Sequence, residues 1–485
     1  DTEVIPHLID FYRKTSRNFE TAFEEALNQL RGAYALGVIT AEEPDVLYAA
    51  KLGSPLVLGV GSNLCIVASD PSAIHEHTND VVYLNDYEFV RAEKNGTYRI
   101  KDFVHARLIE RAIETLDYDA GAVSKGDYPH FMLKEMFEIP QTIRSAMLGR
   151  LKVENNSVKL GGLESVTQQL KYIDRIVIVA CGTASYAGLY GEYAIEEIAG
   201  IPVEVQQASE FKYRNEPFSR STALIAVSQS GETADTIAAI KKVENYGVLR
   251  LGVVNAVGST IARITDAGVY CHAGPELAVA STKAFFAQSI VLMLIGLSLS
   301  NGSTELYKPL LKELDTLPGK AEQILDQADQ IKKLAHKYKN YRDYFYLGRG
   351  YGYPCALEGT LKLKECALVH AEAYPAGEMK HGPLALIDEK FPTFVIATDS
   401  ALLEKTISNI EEVRARKGPV IAIATEGNKA IAKLVDDVIY IPESLEQTSP
   451  LLAVIVMQLF SYYIAVEKGL DVDRPRNLAK SVTVE

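Results

Sequence analysis

Lys480 lies in the carboxyl-terminal run Asp473-Arg474-Pro475-Arg476-Asn477-Leu478-Ala479-Lys480-Ser481-Val482-Thr483-Val484-Glu485. An amine delivered into an enclosed site can lose its proton and attack a carbonyl, forming an imine with an open-chain sugar. The other reading of such a run is a frayed tail, against which Pro475 and the β-branched residues argue for order. In Lys362-Leu363-Lys364-Glu365, Lys362 and Glu365 share a helix face at i, i+3. They read either as a surface ion pair or, because the flanks Ala356-Leu357 and Cys366-Ala367-Leu368-Val369 are apolar, as a partly buried carboxylate able to move a proton. His381, in the turn Glu378-Met379-Lys380-His381-Gly382-Pro383, is open to two readings, a solvated loop residue or a general acid or base.

A second kind of chemistry is written in Ser228-Gln229-Ser230-Gly231-Glu232-Thr233, which follows the apolar strand Ala223–Val227 and precedes a helix-like segment from Ala234. A helix start leaves N–H groups unpaired and partly positive, so a phosphate can take both, with Ser228, Ser230 and Thr233 adding hydroxyl donors. Gly231 lets the backbone close around the anion. Cys181-Gly182-Thr183 also follows a strand and precedes a helix, and Val279-Ala280-Ser281-Thr282-Lys283 follows the last strand of the same half. Each is an ordinary N-cap or part of one sugar-phosphate cradle. Cys181, with no neighbouring base in sequence, reads as a small buried hydrophobe rather than a nucleophile.

The elements that must position these residues change character along the chain. Up to about Asp119 an apolar-periodic helix through Ala22–Leu27 is followed by antiparallel strand candidates at Ala33–Ile39, Leu47–Ala50, Leu56–Val60, Cys65–Ala68 and Asp80–Leu84. A polar stretch over 117–127 reads as a linker. Beyond it, strand, glycine-bearing turn and helix alternate, the rhythm of a parallel sheet covered by helices. Strands are expected at Arg175–Ala180, Pro202–Gln206, Ala223–Val227, Arg250–Asn255 and Gly268–Ala273. A second set falls at Tyr344–Leu347, Thr393–Ala397, Val420–Ala424 and Asp437–Ile441. Gly182 precedes Glu210-Phe211-Lys212 by the interval that separates Gly350 from Glu378-Met379-Lys380, which marks a tandem repeat. A helical connector over Leu306–Tyr338 joins the halves.

At 485 residues the chain has room for two to four domains, and a formal charge of −13 argues against a nucleic-acid or anionic-membrane partner. Cys65, Cys181, Cys271, Cys355 and Cys366 lack C-x-x-C spacing, which reads as reduced, cytoplasmic and metal-free, with no cofactor expected. The most apolar run, Ser289–Leu297, is too short to span a bilayer and is expected to be a buried core helix.

Taken together these residues resemble the glutamine–fructose-6-phosphate aminotransferase (isomerizing) family over essentially the whole chain. The matching stretches are Ala180–Thr183, Ser228–Thr233, Glu276–Phe285, Ala356–Glu365, His370–Tyr374, Gly377–Leu386 and Arg474–Glu485. The resemblance implies an α/β fold in which two tandem sugar isomerase (SIS) subdomains, flavodoxin-like with parallel sheets, follow part of an α+β Ntn-type glutaminase domain. The boundaries it implies are 1–119 glutaminase, 120–160 linker and helical entry, 161–305 first SIS, 306–338 connector, 339–472 second SIS and 473–485 active-site tail. It implies ammonia drawn from glutamine, or free ammonia, and amination of fructose 6-phosphate to glucosamine 6-phosphate in a homodimer. By motif position, Ser228, Gln229, Ser230 and Thr233 hold the phosphate, and Cys181, Gly182, Thr183, Val279 and Ser281 line the sugar. Lys480 forms the imine, Glu365 moves a proton between C1 and C2, His381 from the neighbouring subunit opens the ring, and Lys362 is a supporting cation. Asp1 holds the amino group of glutamine. Two departures stand out: Ala184 replaces a serine common in the family, and the family's N-terminal cysteine nucleophile precedes the sequence, so glutamine hydrolysis is expected to be incomplete. A sensor built on the same domain would carry a helix-turn-helix and a basic patch, which are not seen. A deglycase or plain aldose–ketose isomerase is disfavoured by the glutaminase segment and the Lys480 tail.

Overall fold

The computed structural model describes residues 2–69, 71–74, 77–116, 124–300 and 302–483. The chain divides into two compact units, one comprising Asp1–Ser124 with Val482–Glu485 and the other Lys125–Ser481.

In the first unit, helices Val4–Arg13 and Phe19–Leu27 accompany two antiparallel sheets. One sheet runs in the order Tyr34–Thr40, Glu43–Leu52, Glu88–Glu93, Tyr98–Asp102, Arg107–Ile109, and the other Leu64–Ala68, Val57–Gly61, Asp80–Tyr83, Glu114–Thr115. Asn18 accepts the N–H of Thr21 at 2.9 Å, which starts the second helix. That helix lays Phe23 edge-on against Tyr48 and Phe89 of the larger sheet. The expected strands are present, and three that the sequence reading did not include, Glu88–Glu93, Tyr98–Asp102 and Arg107–Ile109, extend the larger sheet.

In the second unit, two five-stranded sheets are each wholly parallel and share one strand order. The first is Val203–Gln207, Arg175–Ala180, Thr222–Ser228, Leu249–Val254, Ala267–Tyr270, and the second His370–Pro375, Asp343–Gly348, Thr393–Ala397, Val420–Thr425, Asp437–Ile441. Every residue of Thr222–Ser228 is buried, as a central strand covered on both faces by helices requires. The repeat holds in detail: Glu210 and Glu378 each sit in a short helical turn after the second strand of their half. His370–Pro375, absent from the sequence reading, is the counterpart of Val203–Gln207. The connector is two helices, Tyr307–Leu325 and Ala328–Tyr338.

One continuous apolar core runs through both halves. At its centre are helices Lys283–Ser300 and Ser449–Glu467. The expectation that the apolar run near Ser289 is too short for a bilayer needs correcting, since both helices are long and apolar enough by length and composition. With 89% of each apolar window buried inside the fold, they are core helices. The Lys283 helix extends beyond the apolar run because Glu276 accepts the N–H groups of Thr282 at 2.8 Å and Ala284 at 3.1 Å, satisfying donors that its first turn leaves open.

Candidate active site

In both sheets the first and third strands are adjacent, so the crevice where strand order reverses opens beyond their carboxyl ends. In the first half this crevice is edged by the turn after Arg175–Ala180 and the loop after Thr222–Ser228. Ser228 Oγ lies 3.1 Å from Thr233 Oγ1 and accepts the N–H of Gly231 at 3.0 Å, while Ser230 Oγ accepts the N–H of Glu232 at 3.1 Å. Gly231 has φ +66°, and a Cβ there would stand 2.0 Å from Ser259 Oγ, so the loop closes only around glycine. Neither helix that starts here, Thr183–Ala199 nor Ala234–Lys242, has a side-chain cap at its N-terminus, which leaves first-turn N–H donors without a capping acceptor. Gln229 is half-buried in the same loop. Burial pushes the Cys181 thiol up, an environment that does not favour a thiolate nucleophile.

Helix Gly352–Ala367, from the second half, packs against helix Thr183–Ala199 and brings Lys362 into the crevice. Lys362 is fully buried, with Nζ donating to Glu365 Oε2 at 2.6 Å and to Thr183 Oγ1 at 3.0 Å, and lying 3.4 Å from Glu358 Oε1. Burial by itself would lower the lysine, but the charges of Glu358 and Glu365 outweigh it and hold it above the ordinary lysine value. Burial pushes Glu358 up to about 7 in spite of Lys362. Glu365 is the member of the trio that reaches solvent, its side chain 23% exposed. The surface-pair reading of Lys362 and Glu365 is therefore replaced by a buried pair, open only on the glutamate side.

The carboxyl-terminal run is anchored. Asp473 accepts the N–H groups of Phe131 at 3.0 Å and Met132 at 2.9 Å, and its own carbonyl accepts the N–H of Val279 at 2.9 Å. Lys480 Nζ then reaches Glu276 Oε2 at 2.7 Å, and Ser481 Oγ lies 3.1 Å from Ser230 Oγ in the Ser228–Thr233 loop. Burial alone would push Glu276 up, yet the charge and hydrogen bond of Lys480 and the two helix N–H groups hold its carboxyl below the ordinary value. Ser281 Oγ points at the same carboxylate, at 3.4 Å. His381 is exposed at the end of the turn Ala376–His381, with no hydrogen bond to either lysine cluster among the described residues. Asp1 lies outside the described residues.

The SIS domain family matches residues 169–298 and 337–468, one match per parallel sheet. Glutamine–fructose-6-phosphate aminotransferase (isomerizing) of Chlorobaculum tepidum is 51% identical over all of this chain and 80% of its own length. The Bacteroides thetaiotaomicron protein of the same name is 45% identical over the same shares. The chain belongs to the glutamine–fructose-6-phosphate aminotransferase family. A solved C-terminal domain of the Francisella tularensis aminotransferase, 34% identical, superposes with a TM-score of 0.68 over 73% of this chain and 100% of that one.

Aminotransferase-family motifs led to the lysines but not to all of their partners. Glu358 stands one helical turn before Lys362, and the Glu-x-x-x-Lys spacing was a usable signal. Glu276 lay inside a matching stretch without a role. Glu135, on helix Phe131–Phe137, accepts the N–H groups of Leu277 at 2.5 Å and Ala278 at 3.1 Å. Nothing in the sequence linked it to Lys480. Beside Ala184, where the family commonly has serine, Ser185 does not supply a free hydroxyl: its Oγ donates to the carbonyl of Gly182 at 2.7 Å.

Proposed function

We propose that this chain makes glucosamine 6-phosphate from fructose 6-phosphate, with glutamine-derived or free ammonia, in the crevice between the Ser228–Thr233 loop and the Lys480 tail. The phosphate sits on Ser228, Gln229, Ser230 and Thr233 and the helix N–H groups behind them. Cys181, Gly182, Thr183, Val279 and Ser281 line the sugar. Lys480, once neutral, adds to the C2 carbonyl of the open-chain ketose and water leaves as the imine forms. Ammonia then displaces the lysine at C2. Glu365 takes a proton from C1 and returns it to C2 as the C1 hydroxyl proton passes to nitrogen, which leaves an aldehyde at C1 and an amine at C2. Lys362 holds Glu365 in place and its positive charge favours the electron-rich intermediate.

His381, exposed and without a hydrogen bond to either cluster among the described residues, opens the sugar ring in a second copy, so the working form is a homodimer. Asp1 grips the amino group of glutamine, and the reaction takes place in the cytoplasm.

The observation that carries this reading is the contact between Ser230 and Ser481 at 3.1 Å, which sets the residue after Lys480 against the phosphate loop. The test is turnover of fructose 6-phosphate with ammonium or with glutamine, alongside exchange of the C1 proton in heavy water. Glu365→Gln is expected to lower exchange by about a hundredfold or more while sugar-phosphate binding persists. Retained exchange in that variant removes Glu365 from the mechanism, and retained turnover in Lys480→Ala removes the imine.

A further inference from the structure

Glu135 has no part in the chemistry above, yet it is only 2% exposed and feels the charges of both Glu276 and Lys480. Its Oε1 accepts the N–H groups of Leu277 and Ala278, so it clamps the backbone of the loop that carries Glu276, Val279 and Ser281. Its Oε2 is buried and has no hydrogen-bond partner among the described residues. Two buried carboxylates therefore act on a single ammonium, whose own side chain is 23% exposed. Both cannot ionise there without leaving a buried charge uncompensated. Glu276 takes the charge because it holds Lys480 Nζ at 2.7 Å and the N–H groups of Thr282 and Ala284. Glu135 has two amide donors and a bare oxygen.

Other ionisable groups on the elements packed here hold partners of their own. Lys134 and Lys283 pair with Glu138, Asp473 accepts the N–H groups that open the Glu135 helix, and His130 bonds to Tyr462 of helix Ser449–Glu467. Burial, with the charge of Glu276 second, pushes the Glu135 carboxyl up to about 8.

We infer that Glu135 is a positioning residue for Lys480: as a neutral acid it fixes the Glu276 loop and leaves the lysine facing one carboxylate charge. The inference rests on the imine role given to Lys480 above. When Glu135 ionises, a second negative charge is buried beside the Glu276 carboxylate and repels it, which loosens the loop that holds Lys480 in position.

The test is borohydride trapping of fructose 6-phosphate on Lys480, read from the mass of the modified peptide in the whole chain, from well below to well above pH 8. Glu135→Gln keeps the volume and the acceptor oxygen but cannot ionise. It is expected to trap like the unaltered protein on the acid side and about three- to tenfold faster on the alkaline side, with KM for the sugar phosphate within about twofold. Glu135→Leu breaks the clamp and is expected to raise KM at every pH. Coincident trapping curves for the unaltered protein and Glu135→Gln overturn the inference, and this comparison stands even where Glu135→Leu fails to fold. An adduct on Lys480 with coincident curves removes Glu135 alone. Absence of any adduct on Lys480 removes the imine reading and the inference together.

Discussion

At the scale of single residues, the account turns on charges held where water does not reach. Lys362 is buried between Glu358, Glu365 and the Thr183 hydroxyl, and a lone ammonium in that position would be expelled or neutralised. The spacing of Lys362 and Glu365 was legible in the sequence, but their burial was not. Three charges along one helix face look like a solvated stripe until a second helix covers them. The burial has a measurable consequence through Glu358, whose carboxyl is raised from an ordinary 4.5 to about 7. A raised acid contributes its stability in full below pH 4.5 and loses it as pH rises through 7. Chemical denaturation across that window is expected to show falling stability, with about 3 kcal/mol of the loss due to Glu358. Glu358→Gln is expected to flatten the slope by that share. An unchanged slope in the variant contradicts the assignment.

At the scale of elements, the Ser228–Thr233 loop depends on one backbone conformation. Gly231→Ala places a methyl group on Ser259 Oγ and forces a positive φ on a residue that disfavours it. The expected cost is about 1–3 kcal/mol of stability, with KM for the sugar phosphate raised about tenfold or more. Thermal melting and steady-state kinetics check both, and an unaltered KM argues against a phosphate in this loop. Most strands of both parallel sheets were readable from the sequence because continuous apolar runs such as Ala223–Val227 are what a doubly covered strand requires. His370–Pro375 was not, because its histidine, glutamate and two alanines lack the β-branched run, and only its counterpart in the first half betrays it. Glu88–Glu93 and Tyr98–Asp102 mix charged and apolar residues in short alternations that weaken the strand signal. The order of the tail was anticipated from its proline, but its anchor, Asp473 on the first N–H groups of helix Phe131–Phe137, could come only from the fold.

At the scale of the whole molecule, the two halves of the tandem repeat contribute different residues to one crevice. The first half supplies the hydroxyl-rich loop, the second supplies the Lys362 helix, and the carboxyl-terminal run returns with Lys480. The proposed homodimer is open to a complementation test. In a homodimer with His381 acting across the interface, co-assembled His381→Ala and Lys480→Ala chains rebuild one complete site per mixed dimer. Each variant alone is expected to be inactive, and the mixture to recover about a quarter of full turnover. No recovery from mixed dimers shown to form would place His381 in the site of its own chain. The most direct measurement of all is a crystal structure of this chain with fructose 6-phosphate bound. The account predicts the phosphate within hydrogen-bonding distance of Ser228, Ser230 and Thr233, with C2 against Lys480 Nζ. A sugar seated elsewhere, or an amine still paired with Glu276 and facing away from the carbonyl, would contradict it.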